Sequence, residues 1–128
     1  MIKYYTKSTI SSLISVVPSN EIKLHNVCED YGWSDKQAEK IKSQIGIDAK
    51  RICNENETSL FLMRKAIDET IETNKLNADE IDALIVINQT PDFIQPGNSK
   101  LLQSLCHLKK ETFCLDINSG CSGYTDGL

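Results

Sequence analysis

The chain has no apolar run of the ~18 residues that a membrane-spanning helix needs. Its first residues, Met1-Ile2-Lys3-Tyr4-Tyr5, contain no signal-peptide apolar core. It also lacks a basic block. The formal net charge is -4, with both signs interspersed, and Lys109-Lys110 is only a pair. That pattern argues against nucleic acid or an anionic membrane as partner. There is no glycine-rich phosphate loop, no Gly-x-Ser-x-Gly and no Cys-x-x-Cys pair, and hence no sign of a bound metal. Five cysteines at irregular spacing do not make a disulfide framework, so a reduced, cytoplasmic protein is expected. No repeat or low-complexity linker interrupts the chain.

What is present is ordinary for a globular protein: 40% hydrophobic residues, 25% charged, and enough length for one domain with a sizeable core. Residues 8–17 mix β-branched and polar positions and read as a first strand, closed by Pro18-Ser19-Asn20. Residues 20–33 read as a loop, with Cys28 in it. Ser34 and Gln37 form a capping-box pattern for a helix that ends at Gly46. Residues 46–52 then read as a loop, and Cys53 lies just after it. Leu60, Met63, Ile67 and Ile71 recur at helical spacing and predict a helix from Thr58 to Asn74. Asn77 caps a short turn before Ala83–Ile87, which is apolar at every position. Such a run predicts a strand buried on both faces of a parallel sheet. Asn98 or Ser99 is the expected cap of a helix reaching Cys106, with Leu101, Leu102 and Leu105 inward. Thr112–Ile117 is a further buried strand. Strands alternating with helices give an α/β layer fold, whose ligands gather at the C-terminal ends of strands.

Two segments lie at those ends, the loop Gln89–Pro96 and the turn Asn118-Ser119-Gly120-Cys121-Ser122-Gly123. A thiol held between a strand and a helix is a candidate nucleophile. A small buried cysteine in a tight turn is the alternative. The two histidines, His25 and His107, have no sequence relation that sets them beside Cys121. Asp92 and Asp116, at strand ends, read as turn-forming or backbone-capping residues. Cys106, His107, Cys114 and Cys121 lack the spacing of a zinc site.

The stretch Asp116-Ile117-Asn118-Ser119-Gly120-Cys121-Ser122-Gly123-Tyr124 resembles the nucleophile motif of the 3-oxoacyl-acyl-carrier-protein synthase III family, thiolase-fold condensing enzymes. Gly46-Ile47 with Lys50-Arg51, the Asp79–Ile87 turn and strand, Thr90-Pro91-Asp92 with Pro96, and the helix near Asn98 follow in the family's order. The resemblance runs from about residue 8 to the end. It implies a thiolase-like α/β fold, with residues 1–128 as an incomplete amino-terminal half of an αβαβα architecture cut inside the nucleophile helix. It implies that Cys121 takes the acyl group as a thioester, with its own N–H in the oxyanion hole, before decarboxylative condensation with a malonyl thioester. It further implies acyl-carrier-protein or coenzyme A thioesters as partners, no cofactor, and a homodimer. Gln89, Thr90, Phe93 and Pro96 become candidate substrate-binding residues in a loop lining the acyl pocket or the dimer interface. The family's His and Asn partners have no counterpart here, so the piece alone is expected to be inactive in condensation. Lys40 and Gln44 stand where acetyl-CoA-using members place tryptophan and arginine. Gln89 stands where 3-hydroxy-3-methylglutaryl-CoA synthases place glutamate. Acyl transfer to oxygen or nitrogen, or a non-catalytic subunit, are the alternatives.

Overall fold

A computed structural model describes residues 7–128, which divide into two compact units: Val17–Leu62, and the residues up to Val16 together with Met63–Leu128. The elements run β1 (Asn20–Lys23), α1 (Leu24–Asp30), α2 (Asp35–Ile45), β2 (Ala49–Ile52), α3 (Ser59–Asn74), a 3-10 turn at Ala78–Glu80, β3 (Ala83–Ile87), α4 (Asn98–Leu105), β4 (Phe113–Ile117) and α5 (Gly123–Gly127). The division between the units falls inside α3.

In the Val17–Leu62 unit, β1 and β2 pair antiparallel, Asn20 opposite Ile52 and Lys23 opposite Ala49. Both segments were expected to be loops. The backbone ladder also brings Arg51 Nη2 to 2.7 Å from Glu21 Oε2, a long-range contact that no local pattern announces. Helix α1 was also unforeseen. It is seven residues long and closes on Gly32, whose φ of 69° lies in the left-handed region. The Gly32 and Trp33 amides return to the Glu29 and Cys28 carbonyls at 2.8 and 2.9 Å, the two-bond cap that such a glycine permits. Cys28 therefore lies not in a loop but on α1, 1% exposed, and with Ala38 it forms this unit's core. Helix α2 matches expectation. The Ser34 amide donates to Gln37 Oε1 at 2.9 Å, and Gly46 ends the helix at a φ of 71°.

In the other unit, β3 and β4 pair in parallel, Ala83 with Phe113 through Ile87 with Ile117, and α4 makes the crossover. The expected first strand at residues 8–17 has no ladder partner among the described residues. Its half-burial still alternates, with Ser12, Ile14 and Val16 inward, and Asn74 Nδ2 ties it to α3 through Ser12 Oγ at 3.1 Å. Helix α4 is capped by Gly97, not by Asn98 or Ser99, which lie buried in its first turn. At its other end His107 takes the left-handed position, φ 54°, and Leu108 N–H returns to the Gln103 carbonyl at 2.9 Å. Leu102, Leu108, Val86, Cys106 and Thr112 form the core under α4. Leu101 is half-buried, whereas Leu105 is 38% exposed and does not face inward as expected.

The strands are not buried on both faces. Leu84, Val86, Cys114 and Asp116 share the face that α4 covers. Ile85, Ile87, Phe113, Leu115 and Ile117 share the other, by the two-residue period of a strand. Among the described helices α5, five residues long, packs on that second face, and Ile85 and Phe113 remain 42% and 59% exposed. An all-apolar strand needs two covering layers, and the described residues supply one layer and part of another.

Candidate functional site

Both loops singled out in the sequence leave the C-terminal ends of the parallel strands. The Gln89–Pro96 loop follows β3, and the Cys121 turn follows β4. They start side by side, with the Asn88 amide donating to the Ile117 carbonyl at 3.1 Å. Gln89 then reaches the Cys121 turn: a Cβ added to Gly120 would stand 3.5 Å from Gln89 Oε1. Thr90 is drawn back into its own turn, its N–H on Asn88 Oδ1 at 2.9 Å and its carbonyl accepting from Asn88 Nδ2 at 3.1 Å. Phe93 and Pro96 occupy the exposed outer part of the loop, and the Gln95–Pro96 peptide is cis.

Cys121 is exposed and free, two residues before α5. The small residues after it have a steric reason. A Cβ on Gly123 would approach Ile87 Cγ2 to 2.5 Å, and one on Gly127 would approach Ile87 Cδ1 to 2.5 Å. Real Cβ atoms do not tolerate such contacts, so two glycines four residues apart let α5 sit directly on β3. The start of α5 is closed by Gly123 N–H to Gly120 O at 2.9 Å and Asp126 N–H to Ser122 O at 3.0 Å.

On either side of Cys121 in the chain, Ser119 and Ser122 join Asp126 in a cluster that the sequence did not single out. Ser119 Oγ and Ser122 Oγ each lie 3.2 Å from Asp126 Oδ2 and 3.0 Å from one another. The spacing of Ser122 and Asp126, one helical turn, is the signal that could have found it. Asp116 has the capping role read for it: its carboxylate accepts from Ser99 N–H at 3.0 Å and from the Ser99 hydroxyl at the start of α4. Asp92 accepts from the buried Asn98 Nδ2 at 3.2 Å.

Neither histidine is a member of the hydrogen-bonded cluster of Ser119, Ser122 and Asp126. His107 ends α4, and a crossover helix runs antiparallel to its strands, so His107 lies at the opposite end of the sheet from Cys121. His25 belongs to α1 in the other unit and lies 3.2 Å from Glu29 and 3.5 Å from Asp35. Cys106 is buried beneath α4. Burial pushes its thiol up to about 11, the Asp68 charge adds to the effect, and Arg64 opposes it. A proton held that tightly suits packing and not nucleophilic attack. An apolar cavity of about 240 Å³ opens between α3 and β3, lined by Ile67, Thr70, Ile71, Leu84 and Leu108. It lies toward the N-terminal end of β3, away from Cys121, and does not read as an acyl site for that thiol.

No protein-family model matches the chain. It is 30% identical over 97% of its length to a Campylobacter jejuni protein named 3-oxoacyl-(acyl-carrier-protein) synthase 3, covering 35% of that protein. It is 32% identical over 96% of its length to beta-ketoacyl-(acyl-carrier-protein) synthase III 2 of Bacillus anthracis, covering 36% of it. The chain is a homologue of the synthases III. Its fold is thiolase-like. The crystal structure of a 3-oxoacyl-(acyl-carrier protein) synthase from Burkholderia xenovorans superposes with a TM-score of 0.78 at 31% identity, over 87% of this chain and 31% of that one. The chain thus spans about a third of the length of the synthases III it matches. Among the described residues no helix is long and apolar enough to cross a membrane, and no group of three His, Cys, Asp or Glu side chains is placed to hold a metal.

Proposed function

We propose that the protein of which this chain forms a part is a condensing enzyme of the synthase III type, with Cys121 as the residue that accepts the acyl group. The observation that supports this most directly is the placement of Cys121: exposed, at the C-terminal end of a parallel strand, in the one turn that α5 and its two glycines seat on β3. Homology to synthases III supplies the reaction. Cys121 Sγ attacks the donor thioester carbonyl, the Sγ–C bond forms, and the donor C–S bond breaks. The thiol proton ends on the departing thiol. A malonyl thioester then loses carbon dioxide. Its carbanion forms the new C–C bond at the acyl carbonyl, and Cys121 leaves as thiolate. The backbone N–H of Cys121 would stabilise the oxyanion of both tetrahedral species. In this reading Gln89, Thr90, Phe93 and Pro96 bind the acyl donor, and the approach of the Gln89 amide to Gly120 supports that role for Gln89. Acyl-carrier-protein or coenzyme A thioesters are the partners of this reading, with no further cofactor, in a cytoplasmic homodimer.

The test is intact-mass measurement of the full-length protein after incubation with acyl-CoA or acyl-carrier protein. An acyl adduct that disappears in Cys121→Ser supports the assignment. A protein that takes no adduct from any acyl donor is not a condensing enzyme of this type.

A further inference from the structure

We propose that Asp126 is a positioning residue for Cys121, acting through the hydroxyls of Ser119 and Ser122; this rests on the reading of Cys121 as acyl acceptor. The two serines flank the thiol, one two residues before it and one immediately after. Both lie 3.2 Å from the same oxygen, Asp126 Oδ2. Two serine hydroxyls carry two protons, and three short oxygen contacts join this cluster. The protons are therefore shared in one of two ways. Both serines donate to Asp126 across a close Ser–Ser contact, or one serine donates to the other, which donates to Asp126. In each arrangement the carboxylate is the terminal acceptor, and the chain from Ser119 to Ser122 is closed into a loop around Cys121.

The latch adds a side-chain restraint to a stretch whose other ties are the backbone bonds at the Gly120 and Ser122 carbonyls. Gly123 and Gly127 fix α5 against Ile87, and β4 fixes the chain up to Ile117. Between those anchors residues 118–122 form an exposed connection that includes Gly120, a residue with wide conformational freedom. A nucleophile in such a connection gains only if its angle to the substrate is set. Misplacement by about 1 Å costs on the order of a hundredfold in rate. Asp126 sets the angle from within the helix that is already seated.

Acyl transfer to Cys121 in the full-length protein tests this, read as the rate of adduct formation against donor concentration. The expected result for Asp126→Ala is a rate at saturating donor lower by about tenfold to a hundredfold, with half-saturation unchanged. Asp126→Asn, which keeps an acceptor oxygen, restores the rate to within about threefold, as a retained hydrogen bond predicts. Iodoacetamide labelling in parallel reports the fold, because Cys28 and Cys106 are buried and stay unlabelled in a folded variant. If Asp126→Ala exposes them, the double variant Ser119→Ala/Ser122→Ala replaces it, with the same expected loss. Wild-type rates in a folded Asp126→Ala or double-serine variant overturn the latch and leave Cys121 as acceptor. Absence of any adduct on wild-type Cys121 overturns the acceptor assignment and the positioning role with it.

Discussion

Helices α4 and α5 begin in the same way and serve different ends. Each follows a parallel strand, each has a glycine pressed against a neighbour, and each sets a carboxylate on serine hydroxyls. At α4 the carboxylate comes from a distant strand: Asp116 holds the amide and hydroxyl of Ser99, which is 1% exposed, and Gly97 leaves room for it. At α5 the carboxylate is local, Asp126, and the serines and the cysteine between them are open to solvent or half-buried. Asp116 is exposed but Ser99 is buried, so the first arrangement bears on stability through the two Ser99 donors, which are stranded if the carboxylate is lost. Exposure makes the second cheap to disturb energetically, and leaves the thiol accessible to a substrate. A helix start built into a core supports the fold; one left at the surface on a seated helix can present chemistry.

The sharpest way to break that contrast is Cys121→Ser. It is expected to abolish acyl-adduct formation by mass spectrometry while shifting stability by no more than about 0.5 kcal/mol, as for an exposed site away from packing. A large loss of stability would mean that the α5 turn is structural like that of α4. Asp116→Ala comes next. It strands two buried donors of Ser99 and should lower the unfolding free energy by about 3 kcal/mol, measured by urea titration. Gly97→Ala places a methyl against that same carboxyl group, 2.8 Å from its Cγ. Its effect should shrink in an Asp116→Ala background, a coupling that a double-mutant cycle reads. Gly123→Ala forces Ile87 or α5 to shift and should cost about 1–3 kcal/mol by overpacking. Gly120→Ala, whose Cβ would meet Gln89 at an ordinary 3.5 Å, should not. The last effect vanishes at neutral pH and appears only on the alkaline side of the pH profile. Cys106 holds its proton up to about 11 against a reference of 9.0. The unfolded chain therefore releases that proton first, and stability declines as pH rises from about 9 to about 11. Cys106→Ala should remove that decline from urea titrations across this range.

Much of the second unit could be read directly. Met63, Ile67 and Ile71 repeat at the helical period, and Asn77 caps the 3-10 turn. The run Ala83–Ile87 is β-rich and bounded by polar residues. Ser34, Gln37 and Gly46 punctuate α2 within the first unit just as clearly. These signals are local, because the residues that make them are partners within one or two turns. The errors have the opposite character. Glu21 and Arg51 are thirty residues apart, and neither segment is a strand until the other lies beside it. Residues 8–17 have the alternation of a strand, but a strand also requires a partner edge. Asn98 and Ser99 look like caps, yet the capping oxygen comes from Asp116 across space and Gly97 takes the cap position.

The candidate site divides along the same line. The sequence by itself determined the thiol, its small neighbours and its place after a β-rich run, because covalent order and local propensity suffice for those. Only the tertiary structure decided that Gln89 faces Gly120, that Gly123 and Gly127 are small because Ile87 is there, and that Asp126 gathers the two serines that flank Cys121 in the chain. It also decided that the second face of β3 and β4 stays half open. Each of these depends on which atoms approach one another across a fold, and contact distance, unlike periodicity, leaves no repeat in the order of residues.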